Sequence, residues 1–194
     1  MKFIGVSQTS NNNMAEYSFY HIVDSALVNN GKPFFIPNFA EQFEGRLCLT
    51  VRLSRLGRSI SERFAHRYFD AIGMACRFVA TDLHDLLIGQ HTSYDMATSF
   101  DGAVNISDCI LLNDIDISLL SASLCINGES VQQIKETDFI AKASKIIAAY
   151  SKYSTVRQGD YILIDTDDMP FIATENCHID GYINDRHILS FNIK

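Results

Sequence analysis

Between Arg46 and Leu53 the chain alternates, with Leu47, Leu49, Val51 and Leu53 interleaved among Arg46, Cys48, Thr50 and Arg52. A period of two marks a half-buried strand, and it sets Arg46, Cys48 and Thr50 together on the face opposite the leucines. That face, with a cation, a thiol and a hydroxyl aimed the same way, is the first place to look for chemistry. The other reactive residues are harder to assemble. The six histidines (His21, His66, His84, His91, His178, His187) are scattered. His66 lies among polar neighbours on a helical stretch and reads as a surface residue. Cys177 and His178 are adjacent, so on a strand they point to opposite faces and cannot easily share one metal. The acidic stretch Asp165-Thr166-Asp167-Asp168 suggests a cation site, but nothing nearby completes a ligand set, and a solvated turn accounts for it better. No glycine-rich phosphate loop, HExxH or GxSxG sequence is present.

The whole chain narrows the classes of function. Its 194 residues suit one compact domain spanning 1–194, and 47% apolar with 20% charged residues is an ordinary globular mixture. A net charge of −7 argues against nucleic acid as a partner, since phosphate binding needs a concentrated basic face. The stretch Met1 to Val6 turns polar at Ser7, too soon for a secretion signal, and no later stretch is long enough to cross a bilayer. These features predict a cytoplasmic protein with no membrane partner. The five dispersed cysteines then read as reduced thiols in a core.

Elements follow from the same periodicities. Strands are predicted at Lys2–Val6, at Leu47–Leu53, at Ile72–Ala80 and at Leu119–Cys125, the last entering a hairpin turn at Asn127-Gly128. Ser59-Ile60-Ser61-Glu62 has capping-box spacing, and Ile60, Phe64 and Tyr68 follow at helical intervals. Phe64, Tyr68 and Phe69 read as core or as a subunit interface. Phe139, Ala143, Ile146, Ile147 and Tyr150 mark an amphipathic helix, and the tail is strand-like at Tyr161–Ile164, Ile179–Ile183 and Ile188–Ile193, with a turn at Asn184-Asp185. Several strands with two good helices predict a mixed α/β, β-rich fold.

Four segments, in order, resemble the fumarylacetoacetate hydrolase family: Gly31-Lys32-Pro33-Phe34-Phe35-Ile36-Pro37; Leu53-Ser54-Arg55-Leu56-Gly57-Arg58-Ser59-Ile60; Ser99-Phe100-Asp101-Gly102; and Ile126-Asn127-Gly128-Glu129 with Gln132, the helix through Tyr150, and Gly159-Asp160. The resemblance covers essentially the whole chain. It implies a β-sandwich or β-roll of the family's type with a few peripheral helices, and an association as a homodimer or as a heterodimer with an active relative. Family members hydrolyse, decarboxylate or isomerise acylpyruvate-like and 2-oxo acid substrates. They use Mg²⁺ or Mn²⁺ held by three carboxylates, since a hard cation wants anionic oxygen ligands and stabilises the developing enolate.

This sequence departs from that pattern at each ligand position. Counting back from Gly57, the family's paired glutamates fall on Arg46 and Cys48, and counting back from Asp82, the third carboxylate falls on Arg77. The motif's own arginine is Thr81, and the family's lysine falls on Thr98. An amino-terminal element is reduced to Thr9, Ser10, Asn13 and Glu16. A late threonine-glycine-threonine-proline turn becomes Ile164-Asp165-Thr166-Asp167, so only Glu16 and Thr166 survive from the catalytic set. Arginine stays protonated and repels a cation, and a thiol is a poor ligand for Mg²⁺. The departures therefore imply no family-type metal cofactor and no catalytic residue. Arg46, Arg77, Glu16 and Thr166 remain as candidate ligand-binding residues, with a small carboxylate as the ligand or with a structural or regulatory role instead. In one reading the two arginines hold the carboxylate; in the other they pair with Glu16, Asp82 or Asp101 and fill the old cavity. The rival is an enzyme on the same fold, a hydrolase, decarboxylase or isomerase of 2-oxo acids.

Overall fold

The computed structural model describes residues 1–8, 16–166 and 169–194. The expectations placed on Thr9, Ser10, Asn13, Asp167 and Asp168 therefore lie outside the described residues. In chain order the strands and helices are β1 (Phe3–Gln8), β2 (Tyr17–Ile22), β3 (Leu27–Asn29), β4 (Phe43–Leu53), α1 (Glu62–Ala65), β5 (Phe69–Ala80), α2 (Thr81–Gly89) and α3 (Asp95–Thr98). There follow β6 (Val104–Ile106), β7 (Ile110–Leu111), β8 (Leu120–Ile126), β9 (Glu129–Glu136), α4 (Phe139–Ser151), β10 (Tyr161–Asp165), β11 (Phe171–Ile172), β12 (His178–Ile183) and β13 (Arg186–Asn192). The result is the expected β-rich mixed fold, with two sheets and few helices.

The larger sheet runs β2-β1-β10-β4-β5-β6-β3, with β11 and β7 added beside β4 and β5. Its centre is the long antiparallel pair β4–β5, in register from Phe43↔Ala80 onward, with Arg46 directly opposite Arg77. Among the described strands, β1–β10 and β3–β6 pair in parallel, and Phe34 forms a further parallel bridge with Ile193. The smaller sheet runs β13-β12-β8-β9. Its two hairpins are set by local backbone chemistry. Asn127 and Gly128 have φ of 51° and 87°, and Asn184 and Asp185 have φ of 45° and 63°, the left-handed pairs that a two-residue hairpin turn demands.

The two sheets meet over β5. Gly181 on β12 has no side chain because a Cβ there would stand 2.6 Å from the Met74 sulfur. An aromatic stack crosses the same interface. Phe34 lies flat on Phe78 at 3.7 Å between centroids, and Phe78 meets Phe191 edge-on at 6.1 Å. Helix α4 buries Phe139, Ala143, Ile146, Ile147 and Tyr150, the stripe read from its 3.6-residue period.

Three expectations need correction. Strand β4 is not half-buried: Cys48 and Thr50, on the face opposite the leucines, are also fully buried. The helix read from Ile60 to Tyr68 is one α-turn, Glu62–Ala65, followed by a 3₁₀ turn at His66–Tyr68. The capping box does not form, because Ser59 takes φ of 49° and the actual cap, Ser61, makes no side-chain hydrogen bond. Phe69 is core, Tyr68 is half-buried and Phe64 is exposed. Helices α2 and α3 and strands β2, β3, β6, β7 and β11 were not read from the sequence. Helix α2 buries none of its residues fully, so no apolar stripe announces it. Strand β2, with its mixed aromatic and polar residues, has no clean alternation either.

Candidate functional site

One face of the larger sheet holds the chemistry. Along β4 a period of two aims Glu44, Arg46 and Cys48 the same way, and pairing with β5 and β10 sets Arg77 beside Arg46 and Asp165 beside Cys48. On the next strands Gly5 pairs with both Leu163 of β10 and Tyr20 of β2. A Cβ at Gly5 would stand 2.0 Å from the Tyr20 ring, so this glycine is what lets the phenol lie across β1 toward Asp165.

Asp165 is the hub. Its carboxylate accepts hydrogen bonds from the Tyr20 hydroxyl at 2.9 Å, the Cys48 thiol at 3.2 Å, and Arg77 Nη2 and Nε at 2.8 and 3.4 Å. The Arg77 and Asp165 side chains are only 8% and 10% exposed, so this is a buried ion pair whose desolvation is offset by a full set of donors. The Tyr20 ring covers the guanidinium at 5.1 Å, adding a cation–π contact. Asp165 is thus the partner of Arg77, in place of the Glu16, Asp82 or Asp101 that the sequence suggested. It is also no solvated turn residue: it ends β10 with its carboxylate inside.

Burial raises the Tyr20 hydroxyl and the Cys48 thiol well above their ordinary values, with the Asp165 carboxylate pushing the same way. Both therefore stay protonated at neutral pH and serve as donors. A group whose folded pKa is raised contributes fully below its unfolded pKa, about 8.5 for a thiol, and that contribution is lost as pH rises beyond it. Thermal midpoints measured from pH 7 to 10 are expected to hold until about pH 8.5 and then fall. In Cys48→Ser, which keeps a donor that does not titrate in this range, the fall should be shallower. An equal fall in the variant would remove Cys48 from the account.

Beside this hub opens a cleft of about 730 Å³. Arg46, Arg77, Tyr20 and Asp165 line it together with Ser7, Ser18, Gln42, Glu44, Val79 and Thr98. Helix α2 contributes Asp82, His84 and Asp85, and Tyr94 stacks edge-on against His84 at 5.0 Å. Arg77 is committed to Asp165, whereas Arg46 makes no side-chain hydrogen bond or ion pair among the described residues. Of the four candidate binding residues, Arg46 and Arg77 come together here. Glu16 is exposed and does not line this cleft. Thr166 lines a smaller cavity with Leu49, Ile164 and Lys142 that shares Asp165 with the cleft, and its hydroxyl is buried there without a partner among the described residues. Of the cysteines, Cys48 and Cys76 are core thiols, and the other three are half-buried. No helix among the described residues is long and apolar enough to cross a membrane.

The sequence signal that could have found Tyr20 was Gly5 itself, a glycine inside an apolar strand, which marks a close approach. Nothing local could have found Asp165, since the pairing of β10 with β4 joins residues more than a hundred positions apart.

This two-sheet, β-rich architecture is shared by solved structures. A fumarylpyruvate hydrolase from Pseudomonas aeruginosa, solved in complex with Mn²⁺ and pyruvate, superposes with a TM-score of 0.88 at 13% identity, covering 100% of this chain and 89% of that one. A putative fumarylacetoacetate hydrolase family protein from Yersinia pestis CO92 gives 0.86 at 23% identity, covering 100% and 92%. At such identities the likeness shows the fold alone. Sequence carries the rest: residues 5–177 match the family described as fumarylacetoacetate (FAA) hydrolase C-terminal, and the chain belongs to that family. Among curated relatives, the mitochondrial oxaloacetate tautomerase FAHD1 of Rattus norvegicus is 26% identical over 171 residues, 88% of this chain and 77% of the relative. The oxaloacetate tautomerase YcgM of Escherichia coli K12 is 26% identical over 147 residues, 75% and 67% respectively.

Proposed function

We propose that this chain is a non-catalytic member of its family that binds a small carboxylate anion at Arg46 without a metal. The observation that carries the reading is the Arg77–Asp165 pair, which leaves Arg46 as the cleft's uncommitted cation among the described residues. The solved relative that holds Mn²⁺ and pyruvate supports a carboxylate as the kind of ligand this fold accommodates. The residues at the family's three ligand positions do not fit a hard divalent cation. Arg46 and Arg77 are permanent cations, the Cys48 thiol is held protonated, and all the hydrogen bonds to Asp165 point inward to its own neighbours. A guanidinium offers a carboxylate two parallel charge-assisted hydrogen bonds, which serves binding with no proton transfer.

Calorimetric titration of oxalate with and without Mn²⁺ tests this. Oxalate is expected to bind equally well in both conditions, and Arg46→Ala should weaken it by about 10- to 100-fold, the worth of one charged hydrogen-bond pair. Binding that requires Mn²⁺ would return the chain to the metal-dependent enzymes of its family. No binding in either condition would remove the anion role.

A further inference from the structure

Resting on that reading, the charges around Arg46 narrow the ligand further. Two arginines line the cleft against four carboxylates, Glu44, Asp82, Asp85 and Asp165. The Arg77–Asp165 pair cancels itself, so Arg46 is left facing three acids among the described residues. Asp82 is partly occupied, accepting the Glu41 backbone N–H at 2.9 Å, and Asp85 lies 3.4 Å from His84. Glu44 makes no side-chain hydrogen bond or ion pair among the described residues, and its neighbours across the sheet, Val79 and Ile172, are both apolar. It stands two residues from Arg46 on the same strand face, a separation of about 7 Å.

One uncommitted cation and one uncommitted carboxylate, side by side along one wall of a cleft with further acids beyond, form a dipolar site. A ligand with a carboxylate at one end and a second carboxylate at the other would seat the first on Arg46 and drive the second toward Glu44. A compact dianion such as oxalate escapes this by sitting wholly on the guanidinium. We propose that the cleft selects amino-acid-like zwitterions, with the ligand carboxylate on Arg46 and its ammonium group on Glu44. The acids of α2 extend the same preference outward, favouring a further donor or cation on the ligand's distal end.

The test compares three probes built on one propionate skeleton by calorimetry: β-alanine, propionate and succinate. β-Alanine is expected to bind about tenfold more tightly than propionate, with succinate weakest, because each carries the same carboxylate and differs only in what meets Glu44. Glu44→Gln should erase the advantage of β-alanine and lift succinate, while Glu44→Asp, which keeps the charge, preserves the order. An unchanged melting midpoint in both variants separates a lost charge from a lost fold. Succinate binding as well as β-alanine, or an order indifferent to Glu44→Gln, overturns the zwitterion site while metal-free oxalate binding leaves the anion site standing. Failure of oxalate and all three probes overturns both.

Discussion

Replacing Asp165 with alanine is expected to lower stability by about 3–5 kcal/mol, because it strands the Arg77 guanidinium inside the protein. Three donors besides the guanidinium's own Nη2 lose their acceptor at the same time: Arg77 Nε, the Tyr20 hydroxyl and the Cys48 thiol. In a chain of this length each kcal/mol moves the melting midpoint by roughly 2–4 °C, so a fall of about 6–20 °C should be seen by calorimetry or circular dichroism. Two further measurements separate this mechanism from a general loss of packing. A double variant, Arg77→Met with Asp165→Leu, removes both charges and should recover most of the loss, since apolar replacements of a buried pair are often neutral or better. Millimolar oxalate should raise the midpoint of the single variant more than that of the wild type, because the stranded guanidinium lines the cleft and would then have an anion to bind. If Asp165→Ala melts within a degree or two of wild type, the pair is not holding the sheet face together.

A comparable loss, about 3–5 kcal/mol, is expected for Asp160→Ala, from a different cause. Asp160 is 1% exposed and no cation pairs with it among the described residues. Its oxygens instead accept two backbone N–H groups, Lys2 at 2.8 Å and Arg157 at 2.9 Å. These bonds tie the start of β1 to the turn that leads into β10, the one place where the sheet's amino-terminal strand is anchored in parallel. Charge-assisted bonds contribute about 1.5–3 kcal/mol each, and their loss leaves two donors near the core without an acceptor. Asp160→Asn can still accept one bond and should lose about half as much. Urea denaturation with an unchanged slope distinguishes this from a change in the unfolded chain. A midpoint unaffected by either substitution would show that water replaces the carboxylate without cost.

The parts of the fold legible in the sequence are those decided within a few residues. Asn127-Gly128 and Asn184-Asp185 announce their hairpins because few other pairs tolerate two successive positive φ angles. Strand β5 announces itself as an apolar stretch from Ile72 to Ala80 interrupted by Arg77, and α4 by its stripe. What escaped was decided across the sheet. Counting from Gly57 and Asp82 singled out Arg46 and Arg77, and the register of β4 on β5 sets them opposite each other. The same counting said nothing of Asp165 as a partner, since β10 reaches β4 from the far end of the chain. Thr50 and Cys48 misled for a related reason: their polar types suggested an exposed face, while both are fully buried, Cys48 as a donor to the distant Asp165. Serine at 59 and 61 misled because a capping pattern specifies a helix start only if the backbone before it is extended, and Ser59 is not.

The buried pair also bears on how this chain can change over generations. Arg77→Asp alone would set two carboxylates against each other inside the sheet face, and Asp165→Gly alone would leave an arginine without a counterion. Each half therefore makes the other's replacement harmful, so the two positions are bound in sign epistasis, and any lineage leaving this arrangement must cross a valley of unstable intermediates or change both residues together.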